Sequence, residues 1–157
     1  MRRFELPGET WVGGLVAGRH LVTASLVEVV GRTNLIETRE PLHRYLVTTL
    51  GGMDHERMLA FFLDGEGLVL AEQIMAEGAA GEVTLPIRLV VGRALAFGAH
   101  AVVLAHNHPS GHAEPSRADI VATKRLKRAM RDLQLDLADH LIVGRGRVVS
   151  MRERGKI

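Results

Sequence analysis

The chain of 157 residues contains no cysteine, and this absence removes several classes of site from consideration. Disulfide bonds and thiolate-bound zinc are both excluded, and a protein without disulfides fits a reducing compartment. The zinc site of nucleotide deaminases is excluded as well, because it needs a Pro-Cys-x-x-Cys element. A metal ion in this protein is therefore expected to be held by histidine nitrogen and carboxylate oxygen.

Aromatic residues are scarce at 4%, although 46% of the residues are hydrophobic. The core is therefore expected to be aliphatic, and the length is enough for one domain that buries a real core. No apolar run is long enough to span a bilayer, and the first residues, MRRFELPGET, do not match a signal peptide. These features predict a cytoplasmic protein with no membrane partner.

Neither sign of charge is in large excess, since 20 basic and 18 acidic residues give a formal net charge of +2. The basic cluster KRLKRAMR spans residues 124–131, and its charges flank Leu126 and Met130 at helical spacing. That arrangement is typical of the solvated face of an amphipathic helix, and we favour this interpretation over contact with DNA. A nucleic-acid partner stays an open alternative without a clear basic patch to support it, and the oligomeric state is left open.

The most informative stretch is AVVLAHNHPSGHAEPSRADI, residues 101–120. Its first five residues are apolar and typical of a buried strand, and residues 109–111 (Pro-Ser-Gly) break regular structure. The segment from Ser116 to Asp119 has capping-box spacing and predicts the start of a helix. The apolar stripe that continues this helix is Ala122, Leu126, Ala129 and Leu133. The stretch therefore predicts a strand, a turn and a helix.

Two histidines and one carboxylate fall where this strand meets the helix. His106 and His108 are two residues apart, so their side chains lie on the same face of a strand. Asp119 heads the apolar stripe, where a carboxylate without a cationic partner is costly. Two neutral imidazoles and a carboxylate suit a zinc ion with one open position for a water. Taken singly, these residues also fit a hydrogen-bonded histidine or a plain helix cap, but their combined spacing favours the metal site.

The combined pattern, His-x-His followed after seven residues by Ser-x-x-Asp, resembles the JAMM (MPN/JAB) metalloprotease family. The surrounding sequence, HNHPSG…EPSRADI…TKRLK…DHLIVGRG, is similar to the RadC branch of that family from about Glu56 onward. The resemblance implies an α/β fold, a three-layer α/β/α sandwich of the cytidine-deaminase-like type with a mixed central sheet. It also implies one zinc ion per chain and the hydrolysis of peptide or isopeptide bonds in a peptide or protein substrate.

The resemblance further implies roles for individual residues. His106, His108 and Asp119 would bind the zinc ion. Glu56 would act as the general base, and without the resemblance it reads as an ordinary surface glutamate. Ser116, besides capping the helix, would stabilise the oxyanion. The dipeptide His55-Glu56 does not begin an His-Glu-x-x-His motif, because position 59 is leucine.

Other residues near the pattern receive weaker assignments. His140 matches a position of the RadC branch and either orients a metal ligand or is a buried structural residue; both interpretations stay open. His112 is expected to face solvent, and Asn107 is assigned to structural support of the turn. Relatives carry Pro-Arg-Glu where this chain has residues 87–89 (Ile-Arg-Leu), so Arg88 is kept and a glutamate is lost. That loss indicates a different specificity without affecting the ligands.

Residues 1–50 are expected to form an N-terminal arm and helices packed on the main domain, and residues 51–157 the RadC-like metal-binding domain. Full-length RadC proteins carry an N-terminal helix-hairpin-helix region, and the residues before position 51 are too few for it. This weakens a DNA-repair role inferred from the family's name. The alternative function is nevertheless a DNA-repair-associated binding module with a structural or vestigial zinc site.

Periodicity and breaker residues predict a mixed sheet with helices on both faces. The predicted helices cover residues 39–50, 86–97 and 116–133. The predicted strands cover residues 58–63, 68–75, 101–105, 137–143 and 148–151. Residues 1–19 are expected to be irregular, and residues 21–30 fit either a helix or a strand.

Overall fold

The computed structural model describes Glu28, residues 30–81 and residues 83–157. Its helices are α1 (Glu40–Leu50), α2 (Ile87–Phe97) and α3 (Arg117–Arg131). Its strands are β1 (Glu56–Leu63), β2 (Val69–Gly78), β3 (Ala101–Asn107), β4 (Asp136–Gly144) and β5 (Arg147–Ser150). The predicted irregular arm lies outside the described residues, as does nearly all of the segment 21–30.

The five strands form one mixed sheet in the order β2-β1-β3-β4-β5. Strands β3 and β4 are parallel and are connected through α3, and the other neighbours are antiparallel. The predicted mixed sheet is therefore confirmed. Strands are longer than predicted on the side of the candidate site: β1 begins at Glu56, β2 continues to Gly78, β3 continues through Asn107 and β4 continues to Gly144. Glu56 and His106 are consequently strand residues with paired backbones.

Side chains that alternate along the central strands build a separate core on each face of the sheet. Leu59 and Phe61 of β1 pack in one core, and Met58 and Phe62 pack in the other. The first core contains the α1 residues Leu42, Tyr45, Leu46 and Leu50, and the second contains Val90, Ala94, Leu126 and Met130 of α2 and α3. The three-layer α/β/α architecture is confirmed, while the domain boundary at residue 50 stays a prediction.

The buried stripe of α3 differs from the predicted one. The side chains that α3 buries are Thr123, Leu126 and Met130. Leu133 lies beyond the last helical residue and is 46% exposed, so the prediction that it continues the stripe is wrong. Both stripes have spacings of three and four from Asp119, and packing against the sheet decides between them. The result places Thr123, one turn after Asp119, inside the protein.

The helices are short, and α3 has the predicted capping box. Ser116 Oγ accepts a hydrogen bond from Asp119 N–H at 3.1 Å, and Asp119 Oδ2 accepts one from Ser116 N–H at 2.7 Å. Gly98 ends α2 with a φ of 62°, which a residue without a side chain adopts easily. Among the described residues, no helix is long and apolar enough to cross a bilayer. The cytoplasmic location stays a prediction.

A buried polar pair joins α1 to the edge strand β2. Tyr45 Oη lies 2.7 Å and 2.8 Å from the two carboxylate oxygens of Glu72, and both residues are buried. Burial raises the pKa of Glu72 to about 7, although the hydrogen bond from Tyr45 opposes the rise. Below that pH, the folded protein holds a proton on Glu72 that the unfolded chain releases more readily.

We expect this glutamate to make the folded protein less stable as the pH rises. The folded-state pKa lies above the unfolded value of 4.5, so the contribution of Glu72 is full below pH 4.5 and is lost as the pH rises through about 7. The shift corresponds to about 3 kcal/mol. Urea unfolding of the wild type and of Glu72→Gln between about pH 4 and 8 measures the difference. Parallel pH profiles for the two proteins would contradict this prediction.

Candidate metal centre

The three residues predicted to bind metal converge at the end of β3. His106 Nε2 lies 3.0 Å from His108 Nε2 and 3.3 Å from Asp119 Oδ1, and His108 Nε2 lies 3.4 Å from Asp119 Oδ2. All three ligand atoms lie within 4.8 Å of one another. His106 is buried while His108 and Asp119 are half-buried, so the cluster is reached from one side.

The spacing and the charge of these donors fit a metal ion. Four ligands around zinc at 2.0–2.1 Å are separated by about 3.3 Å, close to both imidazole–carboxylate distances. Burial acts to raise the pKa of Asp119, but its hydrogen bonds with His106 and His108 outweigh this and hold that pKa well below the usual range. Asp119 is therefore a carboxylate, and its negative charge together with the two imidazole nitrogens suits a cation held between them.

The backbone after β3 turns so that His108 returns toward His106. His108 N–H donates to Val143 O at 2.9 Å, which ties the loop to β4. His108 Nδ1 lies 2.9 Å from His112 O. Because a carbonyl oxygen only accepts hydrogen bonds, Nδ1 carries the proton, so in the neutral imidazole Nε2 keeps its lone pair. The loop thus selects the tautomer of His108 that a metal needs.

Glu56 lies beside this cluster and is not an ordinary surface glutamate. Its side chain belongs to the first residue of β1, and the residue is only 9% exposed. The pKa of His108 is raised, chiefly by its hydrogen bond with Asp119, and the charge of Glu56 adds to the rise. Glu56 is therefore near enough to His108 to act on it electrostatically. A buried carboxylate beside three metal-binding groups is the arrangement that metal-assisted hydrolysis uses.

The other residues that the sequence analysis discussed differ in their exposure and in their contacts with the cluster. Ser116 is exposed at the start of α3, and its capping bond ties it to Asp119. His112 is exposed, as predicted, and contributes its backbone carbonyl. Arg88 is exposed on α2, and no hydrogen bond or ion pair among the described residues joins it to the cluster. The structure therefore groups Ser116 with the ligands and leaves Arg88 outside.

The comparison with known proteins covers the residues that form this cluster. Residues 36–156 match the model of the RadC-like JAB domain. The chain belongs to this family. A UPF0758 protein of Nitrosospira multiformis is 38% identical over 143 residues, which are 91% of this chain and 64% of the relative. A UPF0758 protein of Nitrosococcus oceani is 42% identical over 130 residues, which are 83% of this chain and 58% of the relative.

This RadC-like JAB domain therefore spans less than two thirds of these relatives' own length. The name UPF0758 states no activity, metal or substrate. Membership confirms the family resemblance and, with the observed sheet, the fold.

A buried chain of hydrogen bonds supports His106, the first candidate ligand of this RadC-like JAB domain. His106 Nδ1 lies 2.8 Å from His140 Nε2, and His140 Nδ1 lies 2.7 Å from Thr123 Oγ1. The Thr123 hydroxyl donates to the backbone carbonyl of Asp119 at 2.6 Å. Burial holds the pKa of His140 well below its usual value, so His140 is neutral.

The donors and acceptors of these hydrogen bonds can be assigned in one consistent direction. The Thr123 proton is given to a carbonyl, so its oxygen accepts from His140 Nδ1–H. His140 Nε2 is then an acceptor and receives Nδ1–H from His106. In the neutral imidazole of His106, Nε2 is then left with a lone pair that faces His108 and Asp119. His140 is thus buried and also hydrogen-bonded to His106. Both interpretations that the sequence left open, a buried structural residue and a residue that orients a candidate ligand, therefore apply.

Sequence reasoning missed two residues that shape this site. Thr123 was hidden because a threonine inside a helix has no signal except its position four residues after Asp119. Gly144 directly follows the predicted strand 137–143, and a Cβ on it would lie 2.3 Å from Gly111 O and 2.9 Å from Ala113 N. Glycine is therefore required where the loop after His108 packs on β4.

We expect Thr123→Val to weaken zinc binding by about 10-fold to 100-fold. Valine keeps the shape but leaves His140 Nδ1–H buried without an acceptor, which favours the wrong tautomer of the histidine pair. Thr123→Ser keeps the hydroxyl and is the matched control, with an affinity close to that of the wild type. Competition with a chromophoric chelator measures both variants. Equal affinities for the valine and serine variants would show that the hydroxyl does not support the ligand.

Proposed function

We propose that this domain is a zinc-dependent metallopeptidase or isopeptidase. In this proposal His106, His108 and Asp119 bind one zinc ion per chain, and Glu56 is the general base. The observation that carries the proposal is the convergence of three ligand atoms within 4.8 Å beside a buried carboxylate. A structural zinc usually has four protein ligands, whereas three ligands leave a position open for chemistry.

Each residue has a defined task in amide hydrolysis. A zinc ion held by the three ligands supplies Lewis-acid activation at neutral pH. Glu56 accepts a proton from the attacking water and delivers it to the nitrogen of the leaving amine. The Ser116 hydroxyl donates to the substrate carbonyl oxygen as negative charge develops there, and the positive end of the α3 dipole favours that charge. The substrate is a peptide or protein with a linear or an isopeptide bond.

Metal content and hydrolysis together test this proposal. Purified protein, loaded with zinc, is incubated with a library of internally quenched peptides and with peptides joined through a lysine Nε amide. We expect about one zinc ion per chain and cleavage that stops on chelation and returns on adding zinc. Zinc-loaded protein that cleaves neither kind of probe, or protein that binds no zinc, would overturn the proposal.

The charge of α3 favours a second candidate, the DNA-repair-associated binding module. Six of its fifteen residues are basic and one is acidic, although the whole chain has a formal net charge of only +2. Among the described residues, none of these six basic side chains has an ion-pair partner. This candidate predicts that duplex DNA binds with a strong dependence on salt and that Glu56→Gln changes nothing. Fluorescence anisotropy at several salt concentrations separates it from the enzyme.

A further inference from the structure

Asn107 lies between the two ligand histidines, and its side chain reaches across to β1. The residue is 2% exposed. Its Oδ1 accepts a hydrogen bond from Arg57 N–H at 2.8 Å, and its Nδ2 donates to His55 O at 2.8 Å. These two backbone groups flank Glu56 on either side. The side-chain amide thus holds the short segment that carries the buried carboxylate.

This contact replaces strand pairing that is absent at the same place. The ladder between β1 and β3 ends at the pair Met58 and His106. Asn107, the last residue of β3, still pairs with β4, where it is opposite Val143, but it is not part of the ladder with β1. A side-chain amide has donors and an acceptor, like a peptide group, and so continues the pairing to β1. Asn107 therefore holds the start of β1 on the β3 side.

Within the described part of the chain, the Glu56 carboxylate has one hydrogen bond. Val83 N–H donates to Oε2 at 3.4 Å, which is long for an N–H donor. Its position consequently depends on the backbone on both sides of it. Asparagine suits this task because its amide has both a donor and an acceptor. An aspartate has no N–H to donate to the His55 carbonyl, and a serine would reach only one of the two backbone groups.

We propose that Asn107 is the positioning residue for Glu56. By holding residues 55 and 57, its amide sets the distance between the Glu56 carboxylate and the metal ligands. Because His106 and His108 adjoin Asn107 in the chain, this one tripeptide sets the positions of the two histidine ligands and of Glu56 relative to one another. The inference rests on the proposed function, since it assigns Glu56 a task that demands exact placement.

Asn107→Ala tests the inference, and Asn34→Ala is its matched control. Asn34 also ties backbone segments together, since its Nδ2 donates to Glu66 O at 2.8 Å and its Oδ1 accepts from Ile36 N–H at 2.9 Å. Asn34→Ala therefore also removes a side-chain amide that bridges two backbone segments, but at a place away from the candidate ligands. If Asn107→Ala does not fold, Asn107→Thr replaces it, because threonine can satisfy at most one of the two groups.

We expect Asn107→Ala to speed hydrogen exchange at the Arg57 amide and to leave zinc affinity within about threefold of the wild type, since the ligands are intact. Cleavage of the quenched peptides should fall about 100-fold, with no further loss when Glu56→Gln is already present. Asn34→Ala should change neither zinc binding nor cleavage. Unchanged Arg57 exchange, or a loss of zinc affinity equal to the loss of cleavage, would overturn the inference.

The failure of the proposed function has a different signature. Wild-type protein that cleaves no probe refutes the enzyme but leaves the positioning role measurable. In that case a crystal structure of zinc-loaded Asn107→Ala decides. A Glu56 carboxylate displaced from the ligands supports the role of Asn107, and a carboxylate in its wild-type place refutes it.

Discussion

Replacement of Glu56 by glutamine is expected to lower peptide hydrolysis by a factor of about 10² to 10⁴ and to leave zinc bound. Glutamine has nearly the same shape and keeps an oxygen for the Val83 N–H, so the fold and the ligands are undisturbed. It cannot accept a proton from water at neutral pH. Single-turnover cleavage of the quenched peptides measures the rate, and chelator competition measures the zinc.

Glu77→Gln is the matched control for this experiment. Glu77 lies across from Arg57 on β2, is exposed, and forms an ion pair with that arginine. The same chemical change there should leave hydrolysis within about threefold of the wild type, because an exposed ion pair contributes little. A Glu56→Gln variant that still cleaves at the wild-type rate would remove Glu56 from the mechanism. It would then favour the binding module, in which zinc only supports the fold.

Replacement of His106 by alanine is expected to lower zinc affinity by at least about 100-fold, more than loss of an outer hydrogen bond costs. His106 is the most buried of the three ligands, and its removal also leaves His140 Nε2 without its donor. Two remaining half-buried donors, His108 and Asp119, hold a metal ion poorly. Metal analysis after dialysis, together with chelator competition, measures the loss.

His112→Ala is the control for that change. His112 lies four residues from His108, and its backbone carbonyl, not its exposed imidazole, faces His108 Nδ1. Alanine keeps this carbonyl, so zinc affinity should match that of the wild type. If His106→Ala retained zinc at full affinity, the metal would lie elsewhere and the assignment of this ligand would be wrong.

Much of the site was predictable because its residues are close in the chain. His106, His108 and Asp119 fall in one strand–turn–helix unit, and local periodicity places them at the junction of these elements. The capping box from Ser116 to Asp119 is also a local pattern, and the structure confirms it. Glu56 is different: it lies 50 residues before His106, and only the family resemblance indicated it. Its backbone is brought to the site by the pairing of β1 with β3.

The sequence by itself therefore determined that His106, His108 and Asp119 lie together, that a helix presents Asp119 and that the strands carry apolar residues, since each follows from spacing within one segment. Only the tertiary structure decided how that cluster is supported. Ala138 is an extra residue in β4, because Leu137 is opposite Val102 while Asp139 is opposite Val103. This bulge shifts the alternation by one and turns His140 toward His106 and Thr123. A bulge depends on pairing with a neighbouring strand, so no pattern within β4 reveals it.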